Sequence, residues 1–76
     1  MEQIEASDKV VFSNGTQLET FFTTAPDPGF QGVRKCRVYI QVGEYIIHIH
    51  SSNSYQSAQA TYERYRPNNK EGVLYA

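Results

Sequence analysis

Two histidines, one cysteine and a short run of arginine and tyrosine are the residues of this chain that could do chemistry. His48 and His50 stand two apart, a spacing that sets both imidazoles on one face of a strand. Such a pair can share a metal, but a zinc site needs a third and usually a fourth ligand. The cross-strand neighbours would be Tyr39 and Arg37, and a guanidinium opposes a bound cation, so neither a metal nor any other cofactor is expected. Cys36 alternates in phase with Val38, Ile40 and Val42, on the face away from both histidines. It therefore lacks the adjacent base that a nucleophile needs and reads as a small buried hydrophobe. Gly29 and Gly32 lie near a Pro-rich turn, without the lysine and hydroxyl of a phosphate loop. No two carboxylates occupy adjacent positions of one strand or helix face. Enzymatic activity is not expected.

The elements that position these residues must come from 76 residues, which make one small domain, 1–76, with a thin core. Six tyrosines and four phenylalanines compensate in part through the area of each ring. A single cysteine allows no internal disulfide and suits a reducing compartment, so a cytoplasmic location is expected. The start of the chain has no basic region followed by an apolar run, and no segment is apolar for long enough to span a bilayer, so neither secretion nor membrane insertion is expected. Charge is uneven. Residues 1–32 hold one cation against five anions, net −4, and residues 33–76 hold six cations against three anions, net +3.

Residues 1–7 are polar and are expected to fray. Lys9-Val10-Val11-Phe12 reads as a strand. The next stretch has two readings. Asn14-Gly15 is a strong signal for a type I′ hairpin turn, whereas Thr16-Gln17-Leu18-Glu19 has capping-box spacing and Leu18, Phe21 and Phe22 share a helical face. The balance falls on a helical turn over 17–23, against the β preference of Thr20, Thr23 and Thr24. Ala25-Pro26-Asp27-Pro28-Gly29 opens a loop that continues to about Gly32. Cys36, Val38, Ile40 and Val42 alternate with Arg37, Tyr39 and Gln41, and Gly43-Glu44 supplies a type II′ turn into a return strand from Tyr45 to about His50. That turn pairs Val42 with Tyr45, Ile40 with Ile47 and Val38 with Ile49 on one face. The other face pairs Gln41 with Ile46, Tyr39 with His48 and Arg37 with His50. Ser52, Asn53 and Ser54 can each cap a helix whose buried stripe is Tyr55, Ala58, Tyr62 and Tyr65, ended by Pro67 and Asn68-Asn69. Gly72-Val73-Leu74-Tyr75 is expected as a final strand, returned to the same sheet by the helix. The fold class is thus α+β: a small antiparallel or mixed sheet of three to four strands, with one amphipathic helix packed on one face.

Function is then a matter of which face stays open. The expected site is the outer hairpin face: Arg37, Tyr39, Gln41, Ile46, His48 and His50. Tyrosine and arginine are the types that anchor protein interfaces, so a protein partner is expected. An exposed sheet edge also permits a homodimer. The competing reading is nucleic-acid binding on the same polar-aromatic face, flanked by Arg34, Lys35 and Lys70, although the chain is slightly acidic overall. In size and element order the chain resembles small phage and mobile-element proteins, anti-CRISPR proteins among them. That resemblance implies an inhibitor that blocks a host machine by occupying its surface, and it carries no motif or residue role.

Overall fold

Residues 2–68, with Val73 and Leu74, are described by the computed structural model. Apolar–polar alternation and two glycine-bearing turns shape the first four elements: β1 (Gln3–Val11), β2 (Gln17–Pro26), β3 (Arg34–Val42) and β4 (Tyr45–Ser52). They form one antiparallel meander in the order β1-β2-β3-β4. One helix, α1 (Tyr55–Tyr65), packs on one face of it. The expected α+β class is therefore the observed one.

The first hairpin settles the ambiguous stretch against the helix. Residues 17–23 lie inside β2. Their β-branched threonines fit a strand that is buried on both sides: Thr20, Phe22 and Thr24 toward the helix, Thr23 toward the other face. The apparent helical face is split, with Leu18 and Phe22 on the helix side and Phe21 opposite. The turn itself is not type I′. Gly15 alone takes a positive φ, +88°, and Asn14 does not. Gly15 N–H donates to the Phe12 carbonyl at 2.9 Å, and Phe12 N–H donates to the Thr16 carbonyl at 2.8 Å. That pattern is a three-residue loop closed by a left-handed glycine. β1 begins at Gln3, inside the segment expected to fray, and pairs with β2 throughout apart from a bulge between Ile4 and Ala6. Thr23 and Thr24 hydroxyls donate to the Glu2 and Glu5 carboxylates at 2.8 and 2.9 Å, which ties this segment down.

The second hairpin follows expectation for half its length. Gly43 has φ +58° and Glu44 does not, as a type II′ turn requires. Val42–Tyr45, Gln41–Ile46, Ile40–Ile47 and Tyr39–His48 pair as the alternation predicts. A bulge then shifts the register: Val38 faces His50 and Arg37 faces Ser51. The expected Val38–Ile49 and Arg37–His50 pairs do not form. One extra residue in β4 rotates His50 to the helix side, where polar partners satisfy its ring.

Of the candidate caps, Ser54 is the one used. Its hydroxyl accepts from Ser57 N–H at 3.1 Å. Ser54→Ala is expected to lower the unfolding free energy by about 1 kcal/mol, and Ser54→Gly by only a few tenths, as read from urea midpoints. Equal losses for the two would mean that the side-chain cap contributes little. Ala58 and Tyr62 are buried and form the core with Phe22, Cys36 and Val38. The stripe is narrower than expected, because Tyr55 stays 48% exposed and only leans its ring on Phe22. The helix ends where Arg66 turns extended before Pro67, the conformation that proline imposes on its predecessor.

Beyond Pro67 the chain departs from expectation. β5 (Pro67–Asn68) pairs with β6 (Val73–Leu74) in a separate two-stranded ladder, not in the main sheet. The Thr20 hydroxyl donates to the Tyr65 carbonyl at 2.9 Å, holding the helix end over β2. Pro67 is buried, and β5 lies against β1 and β2, so the chain is directed across the face and not back along an edge. Asn69, Lys70, Gly72 and Tyr75, which the sequence places in the helix stop, the basic flank and the final strand, lie outside the described residues.

Tyr62 also makes the main polar tie between layers. Its hydroxyl donates to Asp8 Oδ2, and Arg66 lies 3.9 Å from Asp8 and 3.7 Å from Glu63. Burial first, then the hydrogen bond to and charge of Asp8, raise the Tyr62 phenol far above the usual tyrosine range, with Arg66 opposing. A pKa raised on folding contributes stability that is intact below the unfolded value of about 10 and declines as pH climbs past it. Unfolding free energy is therefore expected to fall at alkaline pH. Tyr39 and Tyr55 are also raised by burial, so Tyr62→Phe should make the fall shallower without abolishing it. An unchanged slope in Tyr62→Phe would assign the effect elsewhere.

Candidate functional site

The helix covers one face of the meander and leaves the other open. On the open face, strand alternation sets Phe21, Tyr39 and His48 directly opposite one another across β2, β3 and β4. Phe21 and Tyr39 stack at 5.0 Å between centroids and 21° between planes. His48 tilts against Tyr39 at 5.8 Å and 47°. The spacing follows the distance of roughly 4.8 Å between neighbouring strands, so three aromatic rings form one file across the sheet. On one side of it runs the file Glu19, Gln41 and Ile46, and on the other Thr23, Arg37 and Ser51.

This face mixes aromatic, apolar and polar side chains. Ile46 is 53% exposed among polar neighbours. Arg37 is exposed and, among the described residues, makes no ion pair. Gln41 Nε2 donates to the Gly43 carbonyl at 3.3 Å, which steadies the rim of a polar depression of about 450 Å³ lined by Gly15, Thr16, Gln17, Glu19, Gln41 and Gly43. Burial, then the nearby charges of Glu2 and Glu19, push the Tyr39 phenol upward, so it stays a neutral hydroxyl that can donate. Thr23 is fully buried on this face with its hydroxyl on Glu2, so the strand beneath the rings is closed to water without a covering helix.

Five of the six expected site residues share this face: Arg37, Tyr39, Gln41, Ile46 and His48. His50 does not. Its Nε2 lies 2.8 Å from the Ser52 hydroxyl and its Nδ1 3.5 Å from Thr61 Oγ1. Thr61 gives its own proton to the Ser57 carbonyl at 2.9 Å, and the Ser52 hydroxyl donates to the Ser54 carbonyl at 3.4 Å. His50 is thereby tied into the sheet–helix seam, and the two imidazoles do not converge. Cys36 is buried in the core, where burial raises its thiol, with Arg34 opposing. Phe21 is the member that sequence reasoning missed. Its signal was the hairpin reading of Asn14-Gly15, which makes 17–23 a strand paired with β1; the further pairing of that strand with β3 sets Phe21 opposite Tyr39.

Among the described residues, no helix is long and apolar enough to cross a membrane. No protein-family model, curated protein or solved structure matches the chain.

Proposed function

We propose that this chain is a non-enzymatic protein-binding module, which acts by laying the open face of its sheet on a partner's surface. The supporting observation is the prepacked ring file Phe21–Tyr39–His48, with Ile46 and Arg37, which makes no ion pair among the described residues, beside it. Aromatic and arginine anchors carry most of the energy of protein interfaces, and rings already held in place lose little freedom on binding.

The ring geometry favours a protein over a nucleic acid. A stacking platform for bases needs a free aromatic face. Phe21 covers one face of Tyr39 and His48 leans on the ring from the opposite strand, so Tyr39 offers chiefly its edge and hydroxyl. Edges and hydroxyls suit side chains and backbone amides.

The test is capture from native lysate with the wild-type chain and with Tyr39→Ala as baits, each with and without nuclease. A protein held stoichiometrically by the wild type, lost by Tyr39→Ala and indifferent to nuclease is the expected result. Capture that vanishes with nuclease would move the reading to nucleic acid, and equal capture by both baits would remove this face from the site.

A further inference from the structure

The two edges of the main sheet are built differently. β1 follows Glu2, carries Glu5, Asp8 and Lys9, and is bulged between Ile4 and Ala6. Charges and bulges are the devices that keep an edge strand from pairing. β4 contains no acid, lysine, arginine or proline. Its bulge sits in the half that faces Val38 and Tyr39, and the half from Tyr45 to His48 keeps a regular register. In that regular half Tyr45, Ile46 and Ile47 are 75%, 53% and 54% exposed. They project on both sides, Tyr45 and Ile47 toward the helix layer and Ile46 toward the open face. An uncharged strand, apolar on both faces and with one side of its backbone unpaired among the described residues, is a template for another strand.

We propose that β4 pairs antiparallel with β4 of a second copy, about a two-fold axis near Ile47, to make one continuous eight-stranded sheet from two four-stranded ones. A two-fold antiparallel pair is self-complementary by construction. With Ile47 opposite its own mate on the helix side, Ile46 of each copy meets His48 of the other on the open face, and side-chain orientation agrees across the join. No like charges meet, because β4 has none. A β1–β1 or β1–β4 joint would bring Glu5, Asp8 and Lys9 into the seam. The join uses backbone groups at the edge, so the ring files of the two copies fall on one shared face. It also enlarges the core of a short chain, a common remedy for small size. This inference stands without the proposed function.

Sedimentation equilibrium on the full chain tests it, together with symmetric cysteine cross-linking. The expected species has twice the 8.7 kDa mass of the chain, and Ile47→Lys returns it to a monomer with an unchanged far-UV spectrum. Residues opposite one another in an antiparallel pair have Cα atoms about 4.5–5.5 Å apart, within disulfide range. Ile47→Cys should therefore cross-link on mild oxidation, while Val11→Cys, exposed on β1, should not. Native Cys36 is buried and does not compete. A monomer at every concentration up to about 1 mM overturns the proposal, since a weaker association would be negligible in a cell. A dimer that persists in Ile47→Lys and cross-links through residue 11 overturns it equally. Ile47 lies on the opposite face from Tyr39, so loss of self-association and loss of partner binding are read separately.

Discussion

Tyr62→Ala should remove about a quarter or more of the chain's unfolding free energy. Tyr62 is 4% exposed and packs against Phe22 with ring centroids 6.1 Å apart. Removing a buried ring of this size costs about 3–5 kcal/mol. A chain of this length is stable by roughly 4–11 kcal/mol in all, so the loss takes much of the total. Tyr62→Phe separates the ring from its hydroxyl. It keeps the packing and removes a hydrogen bond to a carboxylate, which costs about 1.5–3 kcal/mol. The lower end applies here, because Arg66 remains within reach of Asp8. Glu63→Gln is the control: its pair with Arg66 is exposed, and such pairs contribute about 0–1 kcal/mol. Urea denaturation should rank the variants alanine, phenylalanine, glutamine in falling damage. If Tyr62→Phe were as damaging as Tyr62→Ala, the hydroxyl would be the main tie between helix and sheet, and the ring packing secondary.

The second large effect concerns binding. Tyr39→Ala should weaken partner affinity about 30-fold or more, the scale of a 2 kcal/mol hot spot, while the melting temperature falls by only a few degrees. His48→Ala should weaken binding less, because His48 leans on the file from its exposed end. Phe21→Ala should mimic Tyr39→Ala in binding, since the stacked ring holds Tyr39 in position. His50→Ala should do the reverse, lowering stability and sparing affinity, because its ring bonds to Ser52 and to Thr61 of the helix. Isothermal titration and thermal melts on the four variants decide this. A collapse of stability in Tyr39→Ala would mean that the ring acts as core, and the face would lose its claim as a site.

What the sequence disclosed and what it concealed divide along physical lines. The β3–β4 turn was legible because only glycine supplies the positive φ at its first position, and the alternation on either side agrees with it. The helix was legible because Ser54, Ala58, Tyr62 and Pro67 each signal a different part of it. β2 was hidden by being buried on both faces. Leu18, Phe21 and Phe22 then lose the period of two that marks a half-buried strand, and their spacing mimics a helix. Phe21 disappeared from the site for that reason alone. The bulge in β4 has no local signature. His50 reads as an outward residue until Thr61, eleven positions later, is brought beside it by the helix. Self-alternation sets the register only up to the point where tertiary partners offer a better one.

The meander also turns an order in sequence into an order in space. The acidic segment, Glu2 to Asp27, folds into β1, β2 and the loop that follows, while Arg34, Lys35, Arg37, Arg64 and Arg66 lie in β3, in α1 and at the helix end. Strands laid side by side in chain order thus give the sheet an electric polarity across its width, negative at β1 and positive at β3, while β4 is uncharged and Arg66 at the helix end lies back over Asp8. A torque of this kind acts at distances where no side chain yet touches, and salt weakens it. An approaching charged body meets a molecule already turned, with Arg37 of β3 and the ring file beside it toward an acidic surface.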